Sequence, residues 1–224
     1  MSPRAKMMAG FLLANIGVAV LVALVLLTRP ASPPKIQGVL LPHARELPNF
    51  RLLDHHNQPF TYAQLKGHWS LVSYGFTTCP DICPTTLAQL AIVNTRLREQ
   101  GSDQLRVLFY TVDHRRDTVK QMASYVHFFD PAFIGLTHLD DIDNPHLPFE
   151  QALGITAQLQ PLIGPDIDPA DNEYEVLHGI TLFLINPQGK LQAIFEPDNL
   201  PPAPQSFNVD TVLRDYLAIR QYLG

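Results

Sequence analysis

Two cysteines are the residues of this sequence best suited to chemistry. Cys79 and Cys83 are the chain's only cysteines, and they stand in one stretch, residues 75–85 (GFTTCPDICPT). Thiolates exchange with disulfides and bind soft metal ions. With three residues between them, the two thiols permit a structural disulfide, a redox-active dithiol or two ligands to one metal ion.

Two of these interpretations, the redox-active dithiol and the structural disulfide, are weakened by the sequence but not excluded. Redox-active pairs usually have two intervening residues, and the region before the facing strand, residues 177–181 (LHGIT), lacks the proline of thioredoxin-type oxidoreductases. A structural disulfide suits an oxidising compartment, but a loop that opens a helix offers little to cross-link. A peroxidase, suggested by the Thr-Thr-Cys stretch, lacks an identifiable helper arginine.

Metal binding requires a third ligand, and His178 is the candidate. It precedes a predicted strand at residues 180–186, and in a thioredoxin-like fold this loop packs beside the cysteine loop. Two thiolates and one imidazole suit three-coordinate Cu(I), or Cu(II) with an added oxygen ligand. Zn²⁺ would accept the same set with a water molecule in the fourth position.

The remaining histidines have no partner at a readable spacing. We interpret them as surface or hydrogen-bonding residues, most firmly for the pair at 55–56. The interpretation is weakest for His114, which follows a predicted strand that ends near the cysteines. These residues are His43, His55, His56, His68, His114, His127, His138 and His146.

Alternating strands and helices must position the cysteines and His178. The pattern predicts a hairpin in 49–65, strands at 69–76 and 105–112, and helices at 85–98 and 118–129, the second capped by Asp117. A second hairpin at 180–195 and a helix with an apolar stripe over 209–222 follow. This alternation predicts an α/β fold. Because the cysteines fall between the first buried strand and the helix that follows it, the predicted fold is thioredoxin-like, with an added N-terminal β-hairpin.

Composition excludes several classes of protein. Two cysteines are too few for a disulfide scaffold, and 46% hydrophobic residues are too many for a disordered chain. From residue 30 onward the chain carries 13 basic and 21 acidic residues, a net charge of −8. Because an acidic domain repels phosphate backbones, we expect no nucleic-acid partner.

The N-terminus contains the chain's single long apolar run. Residues 7–28 carry no charge, and Arg4 and Lys6 precede them. This pattern predicts one transmembrane helix in residues 1–29, rather than a cleaved signal peptide. A Pro-rich tether over 30–46 and a domain over 47–224 follow. The expected location is the inner membrane, with the domain in the periplasm or an equivalent space.

The cysteine stretch closely resembles the signature of the Sco/SenC family, together with three further segments. Residues 109–118 (FYTVDHRRDT), 133–137 (FIGLT) and 183–189 (FLINPQG) resemble family segments, and His178 precedes the last of them. The resemblance spans about residues 47–223. It departs at Leu177, where the family usually has aspartate, and at His114, where it usually has proline.

The resemblance implies a membrane-anchored, thioredoxin-fold copper protein of cytochrome c oxidase assembly. Its copper ligands carry over to Cys79, Cys83 and His178. The expected partners are the CuA-bearing subunit of the oxidase and other copper chaperones. On this hypothesis the protein is a metallochaperone rather than an enzyme. The alternative is a membrane-tethered thiol–disulfide oxidoreductase that uses Cys79 and Cys83 as its redox pair to keep the oxidase subunit's cysteines reduced.

Overall fold

The computed structural model divides the chain into two compact units, residues 1–33 and 34–224. It describes residues 2–27, 32–102, 105–138, 143–162, 174–199 and 205–224. The first unit contains one helix, α1 (Pro3–Leu27). The second unit contains the sheet, the remaining helices and all of the predicted functional residues.

The second unit is built on a mixed sheet of eight strands. Its helices are α2 (Tyr62–Leu65), α3 (Ile82–Glu99), α4 (Val119–Phe129), α5 (Leu147–Leu153) and α6 (Val209–Leu223). The strands of the unit, eight in this sheet and two in a separate pair, are β1 (Gly38–Arg45), β2 (Arg51–Asp54), β3 (Pro59–Thr61), β4 (Ser70–Gly75), β5 (Arg106–Thr111), β6 (Ile134–Thr137), β7 (Ala157–Pro161), β8 (Tyr174–His178), β9 (Leu182–Ile185) and β10 (Leu191–Phe195).

The order of strands in the sheet is β1-β10-β9-β4-β5-β6-β2-β3. Strands β4, β5 and β6 are parallel, and β9 pairs antiparallel with β4. The units β4-α3-β5 and β9-β10-α6 therefore confirm the predicted α/β arrangement. Strands β7 and β8, which the sequence analysis did not predict, form a separate antiparallel pair.

Apolar side chains alternate between the two faces of the sheet, as the period of a strand requires. Leu71 and Phe109 pack in one core cluster, which also contains the buried residues of α3 and α6. Their neighbours Val72 and Tyr110 pack in a second cluster on the other face. The central strands are buried on both faces, which explains the continuous apolar run that predicted β4.

The predicted N-terminal hairpin is confirmed. Strands β2 and β3 pair antiparallel, and β2 also pairs with β6, so that the hairpin extends the sheet. Asn57 in the connecting turn has a φ of 60°, a conformation that asparagine tolerates better than most residues.

Part of the predicted tether was assigned wrongly. Residues 38–45 form β1, which pairs antiparallel with β10 at the edge of the sheet. The prolines suggested an extended linker, but an edge strand also accepts proline, because one of its sides needs no hydrogen-bond donor. Pro42 lies where the β1–β10 register shifts, between Leu40 and Arg45. The start of the predicted tether, residues 30–31, lies outside the described residues.

The predicted transmembrane helix is also corrected. No helix in the described part of the chain has both the length and the apolar character needed to cross a membrane. The prediction relied on the length, the apolar character and the absence of charge of residues 7–28. Residues 1, 28 and 29 of the predicted segment lie outside the described residues.

The predicted start of α4 was wrong by one residue. Thr118, not Asp117, is the N-cap, and it forms a capping box with Gln121. Asp117 is almost fully buried and turns toward the cysteine loop instead. This carboxylate therefore helps to shape the candidate site.

Candidate metal centre

The cysteine loop connects the end of β4 to the start of α3. Cys79 lies in the loop, where its N–H donates to the carbonyl of Phe76 at 3.2 Å. Cys83 and Pro84 lie in the first turn of α3, where proline is tolerated because the N–H it lacks would have no partner in the helix. A Cβ atom at Gly75 would collide with Sγ of Cys83. Glycine is therefore what lets the thiol approach the strand.

Asp117 holds the first half of this loop. Its carboxylate accepts hydrogen bonds from the Thr77 N–H at 2.8 Å and the Thr77 hydroxyl at 2.5 Å. It also accepts one from the hydroxyl of Thr111 at the end of β5, at 2.6 Å. Burial raises the pKa of Asp117, while the bonds from Thr111 and Thr77 oppose that rise. The loop is thus tied to the neighbouring strand.

His178 is the last residue of β8 and faces Cys83. Its Nδ1 lies 2.7 Å from the carbonyl of Gly179, so Nδ1 carries the proton and donates it to that oxygen. The lone pair of Nε2 is then available, and this atom lies 3.8 Å from Sγ of Cys83. The imidazole packs between Tyr74 and Phe76, with ring centroids 5.7 and 5.6 Å away.

The three predicted ligands come together. One ligand atom each from Cys79, Cys83 and His178 lies within 4.8 Å of the other two. Cys83 is buried, whereas Cys79 and His178 are half-buried. Neither cysteine is in a disulfide. Two sulfur atoms and one imidazole nitrogen at these separations form a soft ligand set that is open on one side.

The two thiols share one proton unequally. The hydrogen bond from Cys83 lowers the pKa of Cys79 to about 4, while partial burial opposes the shift. The same hydrogen bond to Cys79, together with burial, raises the pKa of Cys83. The metal-free pair therefore has a thiolate on the more exposed sulfur and a thiol on the buried one.

A groove of about 740 Å³ gives access to the site. Cys79 and His178 line it, together with Arg116 and Tyr174. Arg116 forms an ion pair with Asp113 and lies 4.1 Å from the ring of Tyr174. The hydroxyl of Tyr174 donates to Asp113 at 2.6 Å. These contacts connect β8, and with it His178, to the loop after β5.

The surface assignment of His55 was wrong. Its side chain is almost fully buried, with Nδ1 accepting from the Gly135 N–H at 3.0 Å and Nε2 lying 3.1 Å from Nε2 of His127. Burial lowers the pKa of His55. His56 is exposed, as expected.

Two more histidines that looked unrelated in the sequence also come together. Ligand atoms of His138, His146 and Glu150 lie within 4.8 Å of one another. His138 and His146 are both buried. The only signal in the sequence is the four-residue spacing of His146 and Glu150 around a helix start, and the sequence analysis did not use it.

Comparison with known proteins identifies the family. A sequence model of the family described as SCO1/SenC matches residues 40–213. The chain belongs to the SCO1/SenC family. The match includes the cysteine loop, His178 and every strand of the eight-stranded sheet except the first residues of β1.

Individual relatives agree with this assignment. A Stutzerimonas stutzeri protein described as copper-binding is 36% identical over 160 residues, covering 69% of this chain and 71% of that protein. The mitochondrial SCO2 homologue of Bos taurus is 37% identical over 142 residues, which cover 63% of this chain and 50% of that protein. This chain thus spans about half the length of that SCO2 homologue.

Solved structures support the same fold. The copper-bound ScoI of Arabidopsis thaliana superposes with a TM-score of 0.63 at 28% identity, covering 78% of this chain and 98% of that one. Copper, the metal expected from the sequence, is therefore the metal named or bound in SCO1/SenC relatives.

Proposed function

We propose that this protein is a copper metallochaperone that binds copper through Cys79, Cys83 and His178 and helps to assemble the CuA site of cytochrome c oxidase. The observation that carries the proposal is the convergence of these three side chains within 4.8 Å. Family membership and the copper named or bound in relatives support the choice of metal. The protein would carry copper as cargo rather than turn over a substrate.

The unequal burial of the cysteines suggests how the cargo leaves. Cys79 borders the groove and Cys83 does not. A thiolate from a partner would approach on the Cys79 side and replace the protein's ligands one at a time. The partners would be the CuA-bearing subunit as acceptor and other copper chaperones as donors. Because binding requires thiolates, a disulfide between Cys79 and Cys83 would abolish it.

The test is a Cu(I) titration of the reduced protein in competition with a chromogenic chelator. Cys79→Ser, Cys83→Ser and His178→Ala should each weaken binding at least about tenfold, or about 1.4 kcal/mol. His43→Ala, which removes an exposed histidine, serves as the control and should bind as the wild type does. If all three ligand variants bind Cu(I) as tightly as the wild type does, the proposal is wrong.

A second candidate function is thiol–disulfide exchange that keeps the oxidase subunit's cysteines reduced. The observation that favours it is that the two cysteines lie close together without a disulfide, since such a pair can reduce a partner's disulfide. The lowered pKa of Cys79 fits the role of the attacking thiol. His178 separates the two functions because a reductase does not need a metal ligand. If His178→Ala retains oxidase assembly in cells while either Cys→Ser variant abolishes it, the redox function is the correct one.

We further propose that the protein works on the periplasmic side of the inner membrane, or in an equivalent space. The expected partner there is the oxidase subunit whose CuA site requires copper. Fractionation of cells into cytoplasmic, membrane and periplasmic pools tests this location, and recovery in the cytoplasmic pool alone would contradict it.

A further inference from the structure

A second cluster of metal-ligating side chains lies outside the cysteine site. His138 follows the end of β6, His146 directly precedes α5, and Glu150 lies in the first turn of that helix. His138 and His146 are only 6% and 8% exposed, although histidine is a residue of intermediate burial in general. One ligand atom from each of the three residues lies within 4.8 Å of the others.

A chain of hydrogen bonds fixes the proton of His138. The hydroxyl of Tyr110 donates to Oε1 of Glu150 at 2.6 Å, so its oxygen accepts at 3.0 Å from Nδ1 of His138. Nδ1 therefore carries the proton. Protein histidines that bind metals are usually prepared in this way, by donating their other ring N–H to a fixed acceptor.

We propose that His138, His146 and Glu150 form a second metal site, which takes a borderline divalent cation such as Zn²⁺. Two imidazoles and one carboxylate are the ligand set of zinc sites that keep one position open. The set contains no sulfur, so it does not suit Cu(I) as the cysteine site does. The two sites would therefore select different ions within one domain.

Binding requires one local movement. The rings of His138 and His146 are stacked, with centroids 3.6 Å apart and planes 13° apart, so their nitrogen atoms do not yet point at one position. Because Tyr110 restrains His138, His146 is the ring that turns. His114 contributes a third imidazole, with its centroid 3.9 Å from that of His138. The ion would replace this ring stack by direct coordination.

The test uses Co²⁺ and Zn²⁺ as probes in a full-length Cys79→Ser/Cys83→Ser variant. Removing both thiols separates this site from the proposed copper site, so failure here would leave the copper proposal untouched. We expect one equivalent of Co²⁺ to bind with a visible spectrum typical of nitrogen and oxygen ligands, and Zn²⁺ to displace it. We also expect Zn²⁺ to raise the melting temperature, because it binds only the folded state.

Substitutions in the same background locate the ion. His146→Gln and Glu150→Gln should each weaken binding at least about tenfold. Tyr110→Phe removes the hydroxyl that holds both His138 and Glu150, and it should weaken binding about 10- to 100-fold. His43→Gln at an exposed position should have no effect. If no ion binds, or if it binds equally in the Glu150→Gln variant, the cluster is a ring stack held without metal and the proposal is overturned. Circular dichroism identifies any variant that fails to fold. In that case the Glu150→Gln variant, which keeps the side-chain shape, decides whether the cluster binds metal.

Discussion

At the scale of single residues, the site depends on how one proton is shared. Cys79 and Cys83 are chemically identical in the sequence, yet the fold makes one a thiolate and the other a thiol. The cause is their hydrogen bond, assisted by the deeper burial of Cys83. His178 faces the same pair with the lone pair of Nε2. The residue types were evident from the sequence, but their protonation depends on contacts.

This sharing predicts the pH dependence of alkylation. In the reduced, metal-free protein, Cys79 should react with iodoacetamide at a rate that is level above about pH 5 and falls as the pH drops through a pKa of about 4. A lowered pKa means that the thiolate is lost only as the pH falls through that value. Cys83→Ala removes the donor, so the pKa of Cys79 should rise and the rate at pH 6 should fall.

The matched control for this experiment is Cys83→Ser. Its hydroxyl can still donate to Cys79, so the alkylation profile should stay closer to that of the wild type. Rates measured by mass spectrometry between pH 3 and 9 would distinguish the variants. If Cys83→Ser shifts the profile as far as Cys83→Ala does, the hydrogen bond is not the cause.

At the scale of elements, the site forms where the parallel strands end. Cys79 follows β4, Asp117 follows β5 and His138 follows β6, so the carboxyl edge of the parallel strands carries both clusters. Because β9 runs antiparallel to β4, its start brings His178 to the same edge. This edge is the usual place for sites in open α/β sheets. The loops that carry the ligands must therefore be held to the strands.

Asp117 is the residue expected to hold the cysteine loop. Asp117→Ala leaves the Thr77 N–H and two hydroxyls without their acceptor, so the free energy of unfolding should fall by about 1–3 kcal/mol. Asp81→Ala changes a carboxylate in the same loop that caps no backbone N–H of α3, and it should alter stability by no more than about 0.5 kcal/mol. Urea denaturation measures both values. Equal effects of the two substitutions would contradict this role for Asp117.

At the scale of the whole molecule, the compact unit begins earlier than the sequence suggested. Strand β1 covers the edge of β10, and the Gln37 N–H donates to Asp215 of α6 at 2.7 Å. Asp215 is almost fully buried. Residues 34–46 are therefore part of the fold rather than a linker to it.

Two truncated proteins test this boundary. A protein that begins at Pro34 should keep the melting temperature of the full chain's sheet unit, because residues 34–224 carry their own core. A protein that begins at Leu47 loses β1 and the Gln37 N–H that donates to Asp215, so its melting temperature should fall by about 2–4 °C for each kcal/mol lost. Scanning calorimetry compares them, and equal melting temperatures would restore the tether interpretation.

The sequence by itself determined the chemistry and the local elements. Residue types and short periodicities were enough to predict several local features. These are the paired thiols, the buried strand before them, both hairpins and the helices α3, α4 and α6. Their order, together with the place of the cysteines after a buried strand, predicted the thioredoxin-like arrangement and selected His178. Asp117 at the start of α4 was misassigned by one residue because its buried partners lie on other elements.

Only the tertiary structure decided which distant residues meet. His178 and Cys83 are 95 positions apart, and the contact between them depends on the pairing of β4 with β9. The sequence could not predict strand β1 or the buried cluster of His138, His146 and Glu150. Both depend on contacts between distant elements, which a local periodicity does not indicate. Spacing along a chain fixes neighbours within an element, whereas burial and strand pairing bring separate elements together.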